Sequence, residues 1–448
     1  MHAPCVLSAL GGGDSGRRLG CVEICDVVVG RGRVVAANIF VYAWHGSSNI
    51  ATEQVLSMLC VSSCCRRCQH ESKDDLDCIG LRKGVAVPIV SVRRFSSLSD
   101  YQRYNGRGGV QVDVDCSVAD LVRYSLHNGS YGGHIIRSRT GRSFYRSIPR
   151  FALAYDRTLD TYVMRDDYRF AESSYKATVS FFLGMIGVRV VYEKLMGGSK
   201  PGSFLFHAGN NKQFLLKSRS GMQKPDFIAV DENADPYALF EGKGSSDSGV
   251  KSYQIERGKE QVEGVSSITL KGARGVSGKV KRGVDLKKHV VASGFSNRSG
   301  VRGGVWSLFD VDPNGEGVGD LLVDFDGAVF DYYAPIVSIL STGSGDVVKV
   351  NGVNCELVKA EDGVVIGLVQ GLRDVICEIV DKKANPETKY QYICERMSDG
   401  CARRVAKYLN GLDGIVSENG DKHVSMGADG IVVMVSDEYV QSFNMGSD

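Results

Sequence analysis

No apolar run in this 448-residue chain approaches the ~20 residues of a membrane span, so no transmembrane segment is expected. There is almost no net charge either, only +2. Bulk charge therefore argues neither for nor against a polyanionic partner, and local charge has to decide. The opening stretch, MHAPCVLSALGGGDSGRRLG, has no basic n-region, and its short apolar run is broken by glycines; a secretory signal is not expected. The 13 cysteines are an odd number spread over a long chain, which points to reduced thiols in a cytoplasm rather than a disulfide framework. Internal repeats and long low-complexity tracts are also missing. What is present is 43% hydrophobic and 24% charged residues, a globular composition able to bury a core. At about 150 residues per domain, this length suggests roughly two to four domains.

Four regions follow along the chain. Residues 1–85 are rich in Gly, Ser and Cys and only weakly periodic, with one helical stretch, ATEQVLSMLCVSSCCRRC. Residues 86–150 mix strand-like runs (GVAVPIVSV, GVQVDVD) with the helical pattern SVADLVRYSLH, and end in a basic tail. That tail carries Arg137, Arg139, Arg142, Arg146 and Arg150, interleaved with Phe144 and Tyr145. Residues 151–342 read as one α/β unit. A long helix is expected over FAESSYKATVSFFLGMIGVRVVYEKLM, where Phe181, Phe182, Met185, Val188, Val191 and Leu195 recur at helical spacing. Strand-like runs follow at SFLFHA and QFLL, then a hairpin, a helix over roughly SGVKSYQIERGKEQVEGVSS, and strands at HVVASGF and GVWSLF. Residues 343–448 read as a smaller α/β element, with hairpins at its NG and EDG turns.

The hairpin is KPDFIAVDENADPYALFEGKGSS, residues 224–246. Its centre, DENADP, is made of turn-favouring residues, so FIAV and YALF are expected to pair antiparallel. In a strand, residues i and i+2 share a face, so Glu241 and Lys243 point the same way with Gly242 opposite. The pairing would bring Asp226, at the start of one strand, near Glu241, at the end of the next. Two adjacent carboxylates suit Mg²⁺, a hard cation that takes oxygen ligands and keeps several waters. A neighbouring ammonium can orient or help deprotonate water, or stabilise charge on a phosphate. Asp231, Glu232 and Asp235 read as turn residues.

This pattern resembles the PD-(D/E)xK nuclease superfamily. Pro225 and Asp226 match "PD", and Glu241, Gly242 and Lys243 match "ExK". The resemblance implies a restriction-endonuclease-like α/β core (helix, three strands, helix, strand) and says nothing about either end of the chain, where the residues themselves read as α/β accessory regions. It implies Asp226 and Glu241 as metal ligands and Lys243 as catalytic. For the further acid that many members carry on the first helix, Glu172 is the best match, with Glu193 next. Gln261 fits the Gln or Lys often found on the following helix, with Gln254 nearly on the same face. The implied activity is Mg²⁺-dependent hydrolysis of phosphodiesters, most simply in DNA, with Mn²⁺ able to substitute. A cytoplasmic bacterial defence or restriction role, and a homodimer or partner-regulated complex, are what the resemblance allows. The competing class is a non-catalytic nucleic-acid-binding or scaffold protein that keeps the fold.

Three further signals stand beside this one. LKGARGVSGKVKRGVDLKKH sets Lys271, Arg274, Lys279, Lys281, Arg282, Lys287 and Lys288 against a single acid, Asp285, with Arg298 and Arg302 beyond. Its glycines suggest a flexible basic loop suited to the nucleic-acid backbone. LLVDFDGAVFD resembles the nucleophile motif of haloacid-dehalogenase phosphatases, with Asp324 as nucleophile and Asp326 as acid/base; a convincing downstream acid motif is lacking. Finally, Cys60, Cys64, Cys65, Cys68, His70 and Cys78 include one Cys-x-x-Cys without a second at zinc spacing. Unliganded helix thiols are the expectation there.

Overall fold

The structure, a computed structural model, describes residues 22–30, 33–41, 87–126, 138–208, 213–217, 223–233, 235–247, 249–271, 277–282, 286–297, 300–313, 319–342, 345–377, 401–412 and 423–444. The chain divides into two compact units, Met1–Cys78 and Ile79–Asp448. Within the first, Val22–Gly30 and Arg33–Val41 pair as an antiparallel hairpin. The helical stretch and the cysteine cluster expected between 51 and 78 lie outside the described residues.

The second unit is mixed α/β, and its centre is a nine-stranded sheet. Around the hairpin the elements run in this order: helix α1 (Ser173–Leu195), strands β1 (Phe204–His207), β2 (Phe227–Val230) and β3 (Pro236–Gly244), helix α2 (Ser252–Glu263), and strands β4 (Lys287–Ser296) and β5 (Val305–Val311). β1, β2 and β3 pair as an antiparallel meander, whereas β4 lies parallel to β3. A parallel neighbour needs a long crossover, and α2 supplies part of it. β5 returns antiparallel to β4 and pairs parallel with Ile89–Phe95, so the sheet takes strands from before α1 as well as after it. The expected strand QFLL does not join this sheet. As Phe214–Lys217 it pairs with Asp320–Val323 in a separate four-stranded sheet. A five-stranded antiparallel sheet holds the C-terminal strands, from Asp346–Val350 to Ile431–Val435.

The central strands of the large sheet are apolar on both faces because helices cover both. Phe227, Ile228, Ala229, Leu239, Phe240, Val290 and Val291 are completely buried. α1 covers one face and approaches the sheet unusually closely. A Cβ on Gly184 would stand 2.7 Å from the Lys243 carbonyl carbon, and one on Gly187 would stand 2.8 Å from Leu308 Cδ2. α2 covers the other face, where a Cβ on Gly258 would meet Val290 at 2.6 Å. By length and composition α1 could cross a membrane, but a buried core helix meets the same criterion, and 61% of its apolar window is buried inside the protein.

Several charged groups inside this unit are paired. Arg123 makes a bidentate contact with Glu193, at 2.9 Å for one of the two bonds, and its Nε donates to Ser425 Oγ at 2.8 Å. This ties α1 to the helix Val118–Leu126 and to the C-terminal sheet. In the Arg-rich tail, now the helix Arg139–Ala152, Arg146 turns to Glu361 at 3.0 Å, and Arg142 reaches the Ala360 carbonyl.

Asp310 on β5 accepts from His289 Nδ1 at 2.8 Å and from Arg94 Nε at 3.1 Å. Burial alone would raise its pKa, but the pull of His289 and Arg94 outweighs burial and holds it below the usual carboxylate range. A carboxylate with a depressed folded pKa lends stability above its unfolded pKa and loses it as pH falls through the folded one. Asp310→Asn is therefore expected to cost roughly 1–3 kcal/mol at pH 7, with the gap closing below about pH 4. Urea unfolding of both proteins at pH 7 and pH 3 measures this, and an equal gap at both values would contradict the pairing.

Candidate active site

The antiparallel register of β2 and β3 sets Phe240 opposite Phe227, so Glu241 lies next to the level of Asp226. The two carboxylates are then pinned reciprocally across the strands. The Asp226 backbone N–H donates to Glu241 Oε2 at 3.0 Å, and the Gly242 N–H donates to Asp226 Oδ2 at 3.0 Å. Lys243 Nζ donates to Glu241 Oε1 and to Gln261 Oε1, both at 2.5 Å. The structure thus brings together Asp226, Glu241, Lys243 and Gln261. Glu241 is 1% exposed, whereas the Lys243 side chain keeps 20% of its surface. The cluster is reachable from solvent through its lysine.

Each element has a reason to place its residue. Alternation along β3 sends Glu241 and Lys243 toward α2 and leaves Gly242 and Gly244 toward α1. On α2, Gly258 lets the helix lie over the Lys243 stem, with its Cβ position 3.3 Å from Lys243 Cε. Gln261 is three residues on, on the same helical face. Gln254, one turn before Gly258, reaches the Gly244 carbonyl at 3.4 Å and accepts from the Lys251 N–H at 3.1 Å. It closes the start of α2 against the end of β3.

Both carboxylates are held in their acid form more readily than usual. Burial raises the pKa of Asp226, against the favourable pull of the Gly242 N–H and Lys243. Burial pushes Glu241 well above the ordinary range, and the negative charge of Asp226 adds to the shift. Two acids forced together under desolvation are the donor set that a divalent cation relieves, and the residues fit Mg²⁺ or Mn²⁺. Among the described residues no group of three or more His, Cys, Asp and Glu side chains gathers as a metal site; Lys243 and Gln261 complete this cluster instead.

Glu172 stands apart from it. It is the exposed N-cap residue of α1, and its carboxylate accepts from the Ser174 hydroxyl. α1 meets the end of β3 at Ser180, beside Gly244. Glu172 lies eight residues before Ser180, about 12 Å further along the helix axis. Glu193, the other acid of that helix, is the buried partner of Arg123 and also accepts from Tyr124 Oη at 3.1 Å.

Part of the basic segment is strand rather than loop. Ser267–Lys271 and Ser277–Arg282 pair antiparallel and include Lys271, Lys279, Lys281 and Arg282, and Arg274 lies outside the described residues. Lys287 is exposed at the start of β4, but Lys288 is buried, 5% exposed, so it is not a surface phosphate ligand here. Asp324 and Asp326 act on backbone N–H groups. Asp324 Oδ1 accepts from Gly327 at the start of the helix Phe325–Thr342, and Asp326 Oδ1 accepts from Ala402 at the start of Cys401–Asn410, both at 2.9 Å.

The glycines Gly184, Gly242, Gly244 and Gly258 are site-building residues that a search for motifs passes over. For Gly184, Gly242 and Gly244 the signal is in the sequence, as paired small residues in FFLGMIGVR and EGKG; Gly258, alone in ERGKE, carries none.

Comparison with protein-family models, with curated proteins and with solved structures returned no match.

Proposed function

We propose that this protein is a metal-dependent nuclease that hydrolyses phosphodiester bonds, with DNA as its substrate. The observation that carries the reading is the convergence of Asp226, Glu241, Lys243 and Gln261 within hydrogen-bond reach on a strand pair and its covering helix. The order of α1, β1, β2, β3, α2 and β4, with β4 parallel to β3, supports a restriction-endonuclease-like core.

Asp226 and Glu241 would hold Mg²⁺, which supplies a polarised phosphoryl oxygen and an activated water when bound. The reciprocal backbone bonds fix the two carboxylates before any ligand arrives, so no side chain has to be ordered on binding. Gln261 holds the Lys243 ammonium in place. From there Lys243 can stabilise negative charge developing on the phosphate, or hold a water for in-line attack. Being positioned in advance, it needs little reorganisation as that charge develops.

The test is degradation of a supercoiled plasmid by the wild-type protein. Cleavage is expected with Mg²⁺ or Mn²⁺ and should stop with excess chelator. Undiminished cleavage in chelator, or none with either metal, would remove the assignment.

A further inference from the structure

We infer that Tyr253 and Arg257 form the substrate lip of the active site, with Arg257 holding a phosphate and Tyr253 stacking on an unpaired base beside the scissile bond. This deepens the nuclease reading and rests on it for the choice of polymer. A helix turns about 100° per residue, so the flanks of α2 can be assigned residue by residue. Ile255, Gly258 and Val262 form its buried stripe against the sheet. Gln254 and Gln261 lie on one flank of that stripe, and they are the residues that meet Gly244 and Lys243. Arg257 lies about 40° round the helix from Gln261 and about 60° from Gln254, on the same flank but further from the sheet, and Tyr253 follows about 40° beyond. Gly264 belongs to this flank too, and a Cβ there would stand 3.1 Å from the Gln223 carbonyl oxygen. The flank therefore faces the start of β2, the side on which Asp226 lies.

The two flanks differ in what their side chains do. On the far flank Glu256 accepts from Gln102 at 2.7 Å, and Lys259 pairs with Glu263 at 3.4 Å, so these groups are engaged within the protein. On the near flank Tyr253 is 52% exposed and Arg257 is exposed; among the described residues neither side chain makes a hydrogen bond, ion pair or ring contact. Charge and shape select the occupant. Arg257 adds a second cation beside Lys243, and a guanidinium fork grips a phosphate through two parallel hydrogen bonds. Residues i and i+4 of a helix stand ~5–6 Å apart at Cβ, so ring and guanidinium reach a base and a phosphate of neighbouring nucleotides. A tyrosine ring stacks only on a base whose face is open, which the interior of a duplex does not offer. The preferred substrate is therefore a strand unpaired at the cut. Negative supercoiling favours such unpairing, so a supercoiled plasmid presents it as well.

The rival explanation is an ordinary solvated helix face. Fluorescence anisotropy of the full chain in chelator separates the two, using a labelled DNA oligonucleotide alone and annealed to its complement, across a salt series. The wild type is expected to bind the single strand about tenfold more tightly than the duplex, and Y253A should lose roughly five- to 100-fold of its single-strand affinity, the range for one base–aromatic stack. Y253F keeps the ring and should stay within about twofold of the wild type. R257Q should flatten the slope of log Kd against log salt by about 0.7, the value for one phosphate of a single strand. R103Q, which removes a 65% exposed arginine from the helix Leu98–Tyr104 beyond the far flank, should change neither. Unchanged single-strand affinity in Y253A, or an unchanged slope in R257Q, would overturn the inference. So would a duplex bound as tightly as the single strand, or no single-strand binding by the wild type. Alanine and glutamine are good helix formers at exposed positions, so melting should stay at the wild-type value; if Y253A melts early, Y253L is judged by the same affinity. Because binding is read without turnover, Tyr253-dependent binding by a protein that cuts nothing would end the nuclease assignment and leave the lip standing. Plasmid cleavage with wild-type KM by both Y253A and R257Q would do the reverse.

Discussion

Asp226→Asn should lose plasmid cleavage by about 10³-fold, the order expected when one group that stabilises transition-state charge is removed. In chelator, the same variant should unfold no earlier than the wild type. Burial disfavours the charged form of Asp226 in the folded protein, and Asp226 in turn raises the pKa of Glu241. A carboxyl whose folded pKa lies above its unfolded value weakens the fold at neutral pH, and this cost fades as pH falls and the group takes up its proton. A neutral isostere removes that cost, while its carbonyl oxygen can still accept from Gly242. Lys243→Met should also abolish cleavage, but it should unfold earlier, because the buried Glu241 carboxyl then loses its ion pair and hydrogen bond with the ammonium 2.5 Å away. The two variants thus agree in activity and part in stability. If the cluster were only a structural ion pair, activity would follow stability in both. Cleavage by Asp226→Asn at the wild-type rate, with folding intact, would end the proposal.

The hairpin is legible in the sequence because two independent regularities coincide there. A turn-rich hexapeptide, DENADP, separates two apolar runs, and period-2 alternation then fixes which side chains share a face. Antiparallel pairing does the rest, since it sets Asp226 beside Glu241 whatever the remainder of the chain does. Gln261 is readable for a similar reason, as helical periodicity carries over to tertiary contact when the helix covers the strand. What depends on distant partners is not readable. Glu193 looks like an available acid until Arg123, 70 residues earlier, closes on it. Glu172 sits on the right helix, but that helix covers the face of β3 that carries Gly242 and Gly244. The segment 267–282 reads as a loop because glycines and lysines dilute its alternation, and the strand it needs, Asp320–Val323, lies some fifty residues on. Lys288 reads as a surface cation by its charge, while its position in a doubly covered strand buries it. The strands Leu153–Asp156 and Thr161–Met164 are too short, at four residues each, to show a period.

Gly244→Ala should be among the most damaging single-methyl changes in the protein. A Cβ there would lie 1.7 Å from the Ser180 carbonyl oxygen and 2.3 Å from its carbonyl carbon. Both atoms are backbone within α1, so no side chain can swing aside. Relief requires α1 and β3 to separate by more than about 1 Å along a packed interface, and the cost should reach or exceed the ~3 kcal/mol upper range of ordinary overpacking. Because Gly244 follows Lys243 directly, the same displacement moves the ammonium relative to Glu241 and Gln261. A misplacement of that size costs on the order of 10²-fold in rate. Gly197→Ala is the control. Its φ of +81° is unfavourable for alanine, but no atom lies within 4 Å of the added carbon. It should cost only about 1 kcal/mol and leave cleavage unchanged. Thermal melts and plasmid assays on the two variants separate close packing from backbone conformation. A Gly244→Ala protein with wild-type melting and wild-type cleavage would show that α1 does not hold β3 in place, and the positioning of Lys243 would then have to come from α2 alone.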